Sequence, residues 1–238
     1  MDAIKTVNLT KKYNDKIVVD GINFTVKEGE CLALLGVNGA GKTTTIRMLS
    51  GLSKPTSGDA EIMGHSVLRE TAEIKRLVGI SPQETAVAEN LTVEENLNFM
   101  ASIYLEKAER KDRVEEIIKK FHLEESRGKR AKTLSGGWKR RLSIAMSIIG
   151  EPQVLYLDEP TLGLDVLARR ELWKEIQALK ATMTIILTTH YMEEAEALAD
   201  RIAIMSNGKI KAVGTLEELE NMTGQKGLEN VFVHISEQ

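Results

Sequence analysis

The sequence predicts an α/β fold with a largely parallel core sheet. Short, almost continuously apolar runs are typical of strands that are buried on both faces of a sheet. These runs are Cys31–Leu35, 154–157 and 184–187. Stretches with apolar residues at helical spacing lie between them. Alternation of buried strands with helices is the pattern of an α/β fold, in which helices cover the sheet.

The amino-terminal part is predicted to begin with antiparallel strands. Residues 3–9 and 17–26 have strand character, and a turn at 14–16 separates them. The buried run Cys31–Leu35 follows, and a glycine-rich turn joins it to a helix predicted for Lys42–Leu49. This order of elements places a tight loop between a buried strand and a helix.

The middle of the chain is predicted to be helical. Thr92 and Glu95 have the spacing of a capping box. The apolar residues that recur at helical spacing after it are Leu97, Met100, Ile103, Tyr104, Val114, Ile117, Ile118 and Phe121. A basic stretch at 127–138 then precedes an apolar helix that ends near Gly150. Because this block is too long for one crossover, we expect an inserted helical subdomain.

The carboxyl-terminal part is predicted to complete the same fold. A charged helical stretch covers 166–180, and 202–213 has the pattern of a hairpin that turns at Asn207 and Gly208. Residues 231–235 are predicted as one more short strand. The predicted organisation is a single domain at 1–225, with a core at 1–90 and 151–225, a helical subdomain at about 91–150, and a short extension at 226–238.

Composition fits one soluble, intracellular domain. The chain has 238 residues, 42% of them hydrophobic and 28% charged, which is ordinary for a packed protein. Its 32 Lys and Arg against 35 Asp and Glu give a formal charge of -3, so no global basic field attracts nucleic acid or anionic lipid. The lone Cys31 has no partner for an internal disulfide. The apolar runs are shorter than the ~20 residues of a spanning helix, and the first residues lack a signal-peptide layout.

A phosphate-binding loop occupies the predicted strand–turn–helix. Residues 36–43 fit G-x-x-x-x-G-K-[ST] at every fixed position. The glycines let backbone N–H groups approach phosphates, and the following helix start adds a positive dipole end. Lys42 is expected to reach the β- and γ-phosphates, and Thr43 to ligate Mg²⁺. The nucleotide contacts predicted here are Gly36, Asn38, Gly39, Ala40, Gly41, Lys42, Thr43 and Thr44.

A second motif ends the apolar run at 154–157. Asp158 and Glu159 follow it directly, at the end of a strand where α/β sheets bind ligands. We expect Asp158 to hold Mg²⁺ and Glu159 to polarise the attacking water. With the phosphate loop this pair indicates nucleotide hydrolysis. Neither N-K-x-D nor D-x-x-G occurs, which disfavours a GTPase.

Further motifs resemble those of ABC-type ATPases over about residues 3–220. Leu134-Ser135-Gly136-Gly137-Trp138 resembles the family signature, commonly Leu-Ser-Gly-Gly-Gln, and stands just before the second motif as in the family. Gln83 matches the Q-loop, Gly163-Leu164-Asp165 the D-loop, and His190 the switch histidine. The resemblance implies a P-loop NTPase (RecA-like) core with amino-terminal antiparallel β strands and an inserted α-helical subdomain.

The resemblance also implies a site shared between two subunits. In the family, two ATP molecules are sandwiched in a head-to-tail dimer, and Ser135, Gly136 and Gly137 would meet the γ-phosphate bound to the opposite subunit. Trp138 replaces the usual glutamine and does not reproduce the paired donor and acceptor of an amide. Two roles stay open for Trp138: a contact with ligand or partner, and packing at the helix start. Whether the pair is a homodimer or a heterodimer also stays open.

The remaining family positions are expected to act at the subunit's own ATP. His190 would contact the γ-phosphate and the attacking water, since an imidazole can donate to an oxyanion. Gln83 would sense the γ-phosphate, Mg²⁺ or the water, and counts among the predicted metal contacts. Tyr13 sits where the family places its adenine-stacking aromatic; an ordinary edge-strand aromatic is the alternative. Together these expectations make ATP and Mg²⁺ the predicted ligands.

Single cassettes of this kind usually serve as ATP-binding subunits of membrane transporters. The segment 90–97 looks like that of drug, sodium and polysaccharide export cassettes, where it lines a groove for a helix of the membrane subunit. Leu97, Phe99 and Met100 are candidates for that docking, with core packing as the equal alternative. We therefore expect an export-type ATPase on the cytoplasmic face of a membrane, partnered by a separate integral membrane subunit.

A soluble ABC-type ATPase that acts on nucleic acid, ribosomes or a non-transport membrane complex is the second hypothesis. Residues 127–141, called here the basic segment, hold seven Lys and Arg and no acid, and such a cluster can contact phosphates. The same charges flank the proposed ATP sandwich, so ATP or solvent explains them equally well. Ribosomal members generally carry two cassettes, and DNA-associated ones carry long insertions. We therefore expect no nucleic-acid partner.

Overall fold

Two sheets form the framework of the structure, a computed structural model that describes residues 1–236. The strands are β1 (Asp2–Tyr13), β2 (Lys16–Ile22), β3 (Thr25–Lys27), β4 (Cys31–Leu35), β5 (Ser57–Ile62), β6 (His65–Ser66), β7 (Val78–Ser81), β8 (Val154–Asp158), β9 (Thr184–Thr189), β10 (Arg201–Ser206) and β11 (Lys209–Gly214). The helices are α1 (Lys42–Leu49), α2 (Thr71–Leu77), α3 (Val93–Tyr104), α4 (Arg110–Lys120), α5 (Gly136–Ser147), α6 (Val166–Leu179), α7 (Met192–Leu198), α8 (Leu216–Thr223) and α9 (Leu228–Ser236).

The larger sheet has the strand order β11-β10-β4-β9-β8-β7. Its strands are parallel from β10 to β7, and β11 is antiparallel to β10. The smaller sheet has the order β2-β1-β5-β6, with β3 also on β1, and is antiparallel. The predicted α/β class with amino-terminal antiparallel strands is confirmed. Because the parallel strands share a direction, the loops after β4, β7, β8 and β9 open at one edge.

The parallel sheet is buried on both faces, as its apolar runs predicted. In β4, Leu32 and Leu34 pack with the antiparallel sheet, α1 and α2, whereas Cys31, Ala33 and Leu35 pack with the other helices. All five side chains are fully buried. Successive strand residues point to opposite faces, so one strand supplies both apolar layers.

Helices α3, α4 and α5 lie between β7 and β8 in the chain, where an inserted helical block was expected. The capping box is formed: Thr92 N–H donates to Glu95 Oε2 at 2.7 Å, and Glu95 N–H donates to Thr92 Oγ1 at 3.1 Å. Leu97 is fully buried in the core. Of the two roles held open for it, core packing is therefore the one that applies. Within residues 1–236, no helix has both the length and the apolar character needed to cross a bilayer.

The strand predicted for 231–235 is wrong, because this segment belongs to helix α9. A short apolar run fits the period of a strand and of a helix alike. The buried residues of α9 are instead Leu228, Val231, Phe232 and Ile235, at intervals of three and four. That spacing forms one helical face, which packs in the core. Residues 237–238 of the predicted extension lie outside the described part.

Candidate nucleotide-binding and catalytic site

The carboxyl-terminal edge of the parallel sheet collects the predicted catalytic residues. The phosphate loop follows β4, Asp158 ends β8, and His190 comes directly after β9. β7 pairs with β8 and leads to Gln83 two residues after its end. Residues that are more than 100 positions apart in sequence are thus brought together by strand order.

Backbone carbonyl groups of the phosphate loop accept hydrogen bonds from the lysine of the same loop. Lys42 Nζ donates to the carbonyl oxygens of Gly36 at 2.7 Å and of Val37 at 3.3 Å. Gly41 precedes α1 with a φ of +109°, and a Cβ there would lie 2.7 Å from the Val18 carbonyl oxygen. Only glycine fits both this conformation and this space. The loop therefore leads directly into the positive end of α1, which favours a bound phosphate.

A cleft of about 290 Å³ opens on this loop. It is lined by Val18, Asn38, Gly39, Ala40, Gly41, Lys42, Thr43, Thr44, Gln83 and Glu159. Tyr13 is absent from this lining: its half-exposed ring lies 5.0 Å from Lys11 Nζ at the end of β1. Stacking of Tyr13 on adenine stays a prediction, and Val18 is an apolar side chain of the cleft that the sequence did not indicate.

Asp158 is almost fully buried and holds two hydroxyl groups. Thr43 Oγ1 donates to Asp158 Oδ1 at 3.0 Å, and Thr188 Oγ1 donates to the same oxygen at 2.5 Å. The first contact joins the phosphate loop to β8, and the second joins β9 to β8. These hydroxyl and carboxylate oxygens are ligands of the kind that Mg²⁺ prefers. The residues present therefore fit a magnesium ion that also binds nucleotide phosphates.

Glu159 is buried between a cation and an imidazole. Its Oε1 lies 3.2 Å from Lys42 Nζ, and its Oε2 lies 2.7 Å from His190 Nδ1. The backbone of Glu159 has a left-handed φ of +49°, and its N–H donates to the Thr188 carbonyl oxygen at 3.1 Å. A non-glycine residue in this region is strained, and such strain is common at functional sites. The fold therefore holds the Glu159 carboxylate in place, although the backbone conformation of Glu159 is unfavourable.

The predicted signature residues form the start of helix α5. Ser135 is its N-cap, and the Trp138 N–H donates to Ser135 Oγ at 3.5 Å. Gly137 packs against α6, since a Cβ on it would lie 3.4 Å from the Ala168 Cβ. A second cleft of about 290 Å³ opens here, lined by Ser135, Gly137, Trp138, Arg141, Asp165, Leu167, Ala168, Glu171 and Leu172. The two clefts have no lining residue in common.

Trp138 packs at the second cleft against a largely buried ion pair. Its ring lies 4.5 Å from the Arg141 guanidinium carbon, a cation–π distance. Arg141 Nε also lies 2.9 Å from Glu175 Oε1 on α6. Burial raises the pKa of Glu175 to about 7, although Arg141 opposes this shift. Trp138 therefore takes part in fastening α5 to α6, and it lines the cleft as well, so neither of its two predicted roles is excluded.

Three of the seven cations of the basic segment, Arg127, Lys139 and Arg141, form ion pairs among the described residues. The Arg127 guanidinium contacts Glu94 at 2.5 Å and Glu115 at 2.8 Å, and it holds the pKa of Glu94 below its usual range. Lys139 Nζ contacts Glu89 at 2.8 Å. Charges neutralised within the fold offer little to an external polyanion. Part of the positive charge of this stretch is therefore neutralised within the fold.

Two residues with direct contacts to the site were missed by sequence reasoning. Thr188 contacts both Asp158 and the backbone of Glu159. Arg140 donates to the carbonyl oxygens of Pro82 and Gln83 from helix α5. Both contacts join segments that are distant in sequence, and neither residue belongs to a motif with a fixed spacing. Only the strand order and helix packing reveal them.

A phosphate loop, two carboxylates and a histidine at one sheet edge define a nucleotide-hydrolysing P-loop protein. The family model described as "ABC transporter" matches residues 19–162. The chain belongs to this family, and it is an ATP-binding and ATP-hydrolysing ABC subunit, as the motifs predicted.

Relatives of the chain include ATP-binding proteins of resistance and export systems. The chain is 43% identical to the daunorubicin/doxorubicin resistance ATP-binding protein of Streptomyces peucetius over 95% of this chain and 69% of that protein. It is 40% identical to the Nod factor export ATP-binding protein I of Ralstonia nicotianae over 95% of this chain and 70% of that protein. These relatives favour the transporter hypothesis over action on nucleic acid or ribosomes.

Solved structures of ABC ATPases have the same fold. An ATP-binding subunit of an ABC transporter superposes with a TM-score of 0.88 at 32% identity, covering 98% of this chain and 99% of that one. A dimeric ATP-binding cassette in a post-hydrolysis state with ADP and phosphate superposes with a TM-score of 0.81 at 25% identity, covering 90% and 98%. The predicted P-loop NTPase fold is confirmed.

Proposed function

We propose that this chain works as a head-to-tail pair on the cytoplasmic face of a membrane, where ATP-driven pairing and hydrolysis power export through a separate membrane subunit. The observation that carries this proposal is the separation of the two clefts within one copy. The phosphate-loop cleft holds the hydrolytic residues, and the signature cleft holds a helix start with Ser135. A second copy in the opposite orientation brings the two clefts together. Residues 1–225 act as one domain, with the core at 1–90 and 151–225 and the helical subdomain at 91–150.

Glu159 acts as the general base. Its carboxylate is buried, lies at the phosphate loop, and contacts His190 at hydrogen-bond distance. It polarises the attacking water, and His190 orients the carboxylate and contacts the γ-phosphate. Lys42 stabilises charge on the β- and γ-phosphates. Gln83 reaches the same cleft from the end of β7 and senses the γ-phosphate.

Magnesium would be held by Thr43 and Asp158, with Gln83 as a third contact. When bound, the ion neutralises charge on the phosphates. In the structure, the Thr43 hydroxyl donates to Asp158 and so keeps both oxygens 3.0 Å apart at the phosphate loop. Thr188 fixes the same Asp158 oxygen from β9. The chain itself thus orients the donor set before a nucleotide arrives.

Shared sites can be tested by mixing two inactive variants, Lys42→Ala and Ser135→Phe. Each site of a head-to-tail pair combines Lys42 of one copy with Ser135 of the other. In a pair of one copy of each variant, one site therefore carries both substitutions, and the other site carries neither. We expect each variant alone to be inactive and an equal mixture to recover about a quarter of wild-type ATPase activity, because half of random pairs are mixed and each has one intact site. Activity is measured as phosphate release. A mixture that stays inactive contradicts the shared site.

Export through a membrane subunit is supported by an exposed apolar patch on α3. Phe99 and Ile103 lie one helical turn apart and are 57% and 58% exposed. Two large apolar side chains on one exposed helix face are typical of a protein contact. We propose that they receive a helix of the membrane subunit, and that the substrate class resembles that of drug-resistance and Nod factor export systems.

Phe99→Asp is expected to release the chain from membranes without changing its own ATPase activity. The charge would be desolvated on docking, and a buried unpaired charge is costly. The measurement is the fraction of tagged chain recovered with solubilised membrane proteins from cells that express the whole transporter, expected to fall at least tenfold. Met222→Asp is the matched control, since Met222 is 60% exposed on α8. Equal recovery of Phe99→Asp and wild type would contradict the docking face.

A further inference from the structure

Helix α5 lies along β7 and the segment that follows it. Ser143 Oγ and Ser81 Oγ are 3.1 Å apart and buried, and a Cβ on Gly79 would lie 2.2 Å from the Ser147 carbonyl oxygen. Arg140 lies on the same face of α5 and donates to the carbonyl oxygens of Pro82 and Gln83, which follow β7. The helix residues are spaced by three and four, and the strand residues by two, so one helix face follows one strand face. The helix that begins at the signature is therefore packed directly against the strand that leads to Gln83.

The Arg140 guanidinium makes the last of these contacts between helix α5 and the β7 segment. It differs from the others because it brings a positive charge into the interior. One nitrogen donates to the Pro82 carbonyl oxygen at 2.5 Å, and another donates to the Gln83 carbonyl oxygen. The residue is only 4% exposed, and burial lowers its pKa. Within residues 1–236, no carboxylate forms an ion pair with it. A buried cation without a direct ion pair is costly. Asp158 and Glu194 favour its charged form through space, and its two backbone acceptors fix its position.

Arg140 connects the two clefts of one copy. Its acceptor Gln83 lines the phosphate-loop cleft, whereas Ser135 lines the signature cleft at the start of the same helix, five residues before Arg140. The Arg140 guanidinium is planar, donates two hydrogen bonds to this segment, and belongs to helix α5. A displacement of the Gln83 backbone therefore displaces Arg140 as well. The start of α5 has to follow that displacement.

We propose that Arg140 is a positioning residue that couples the two ATP sites of a pair by tying the Gln83 backbone to the signature helix. This inference rests on the proposed function, since Gln83 then faces the subunit's own ATP and Ser135 the partner's ATP. Occupation of one site sets the position of Ser135 for the other. Arg140 touches neither nucleotide, and acts through the backbone on one side and through α5 on the other.

The chain contains a matched contact at the opposite end of the same helix. Arg113 on α4 donates to the carbonyl oxygens of Ile148 and Ile149 at 2.8 and 3.1 Å. It is also a guanidinium that holds two consecutive carbonyl groups, and it fastens α5 as Arg140 does. Arg113 is not among the residues that line either cleft, and it also forms ion pairs with Glu116 and Glu151. Arg113→Met therefore controls for loss of stability without loss of the coupling contact.

The experiment measures the ATP dependence of phosphate release by full-length wild type, Arg140→Met, Arg140→Lys and Arg113→Met. Binding of a fluorescent ATP analogue is measured alongside, together with melting temperature. For Arg140→Met we expect affinity within about twofold of wild type, loss of positive cooperativity, and a lower kcat, because Ser135 no longer follows the Gln83 backbone. Arg140→Lys should recover part of the cooperativity, because an ammonium keeps the charge and loses the planar fork.

Arg113→Met is expected to melt earlier than wild type and to keep a cooperative curve. A wild-type curve for Arg140→Met overturns the inference, and so does an equal loss of cooperativity in Arg113→Met. If Arg140→Met does not fold, Arg140→Lys decides by the same curve: reduced cooperativity supports the coupling, and an unchanged curve overturns it. Failure of the proposed function is distinct, because it appears as non-cooperative wild type and as a Glu159→Gln chain that stays monomeric with ATP.

Discussion

Glu159→Gln should lower kcat for ATP hydrolysis by about 10²–10⁴-fold, the usual contribution of a general base. The side chain is buried and lies 3.2 Å from Lys42 Nζ and 2.7 Å from His190 Nδ1, so an amide of the same size fits the space. It does not accept the proton of the attacking water. ATP is then bound and not consumed, so the pair should stay closed. Phosphate release measures turnover, and size-exclusion chromatography with ATP measures the trapped dimer.

Glu193→Gln is the matched control for this substitution. Glu193 lies three residues after His190, and its side chain is 82% exposed, so the same change of charge is made beside the site and outside it. It should hydrolyse ATP at the wild-type rate and show no stable dimer. Wild-type turnover by Glu159→Gln would remove this residue from the role of base. A monomer with ATP, despite lost turnover, would instead contradict ATP-driven pairing.

The parts of the site that the sequence predicts well are those with fixed local spacing. The phosphate loop depends on glycines at defined positions before Lys42, and Asp158 is placed by the apolar strand in front of it. Both patterns are short because a strand end and a helix start are local structures. Strand order then brings the two motifs within hydrogen-bond reach, and Thr43 contacts Asp158. A sequence motif thus predicts each half, and the fold joins them.

The parts that the sequence did not predict depend on non-local packing. The exposure of Phe99 and the burial of Leu97 on the same helix follow from where α3 meets the core. Helix α9 was mistaken for a strand because short apolar runs fit both periods, and its packing in the core decides between them. Arg140 is one cation among seven in the basic segment until its carbonyl acceptors are known. The role of Arg140 therefore carries no signal in a single sequence.

Lys42→Ala should weaken ATP binding at least tenfold and abolish turnover. The Lys42 ammonium is buried and contacts Glu159 and the carbonyl oxygens of Gly36 and Val37, so it is already held at the phosphate position. A hydrogen bond to a charged group contributes about 1.5–3 kcal/mol, or roughly 10- to 150-fold in affinity. Without the cation, the triphosphate also meets the Glu159 carboxylate with no charge between them. A filter-binding assay with labelled ATP measures the affinity.

Lys174→Ala removes the same charge from an exposed position on α6 and should bind ATP as wild type does. Both variants lose one positive charge, and equal melting curves would show that the fold is intact in both. Loss of ATP binding in Lys42→Ala alone then assigns the effect to the phosphate contact. Full ATP affinity in Lys42→Ala would contradict the phosphate-loop assignment. Weakened affinity together with normal kcat would place Lys42 in binding alone, since an interaction made equally in ground state and transition state raises KM and leaves kcat unchanged.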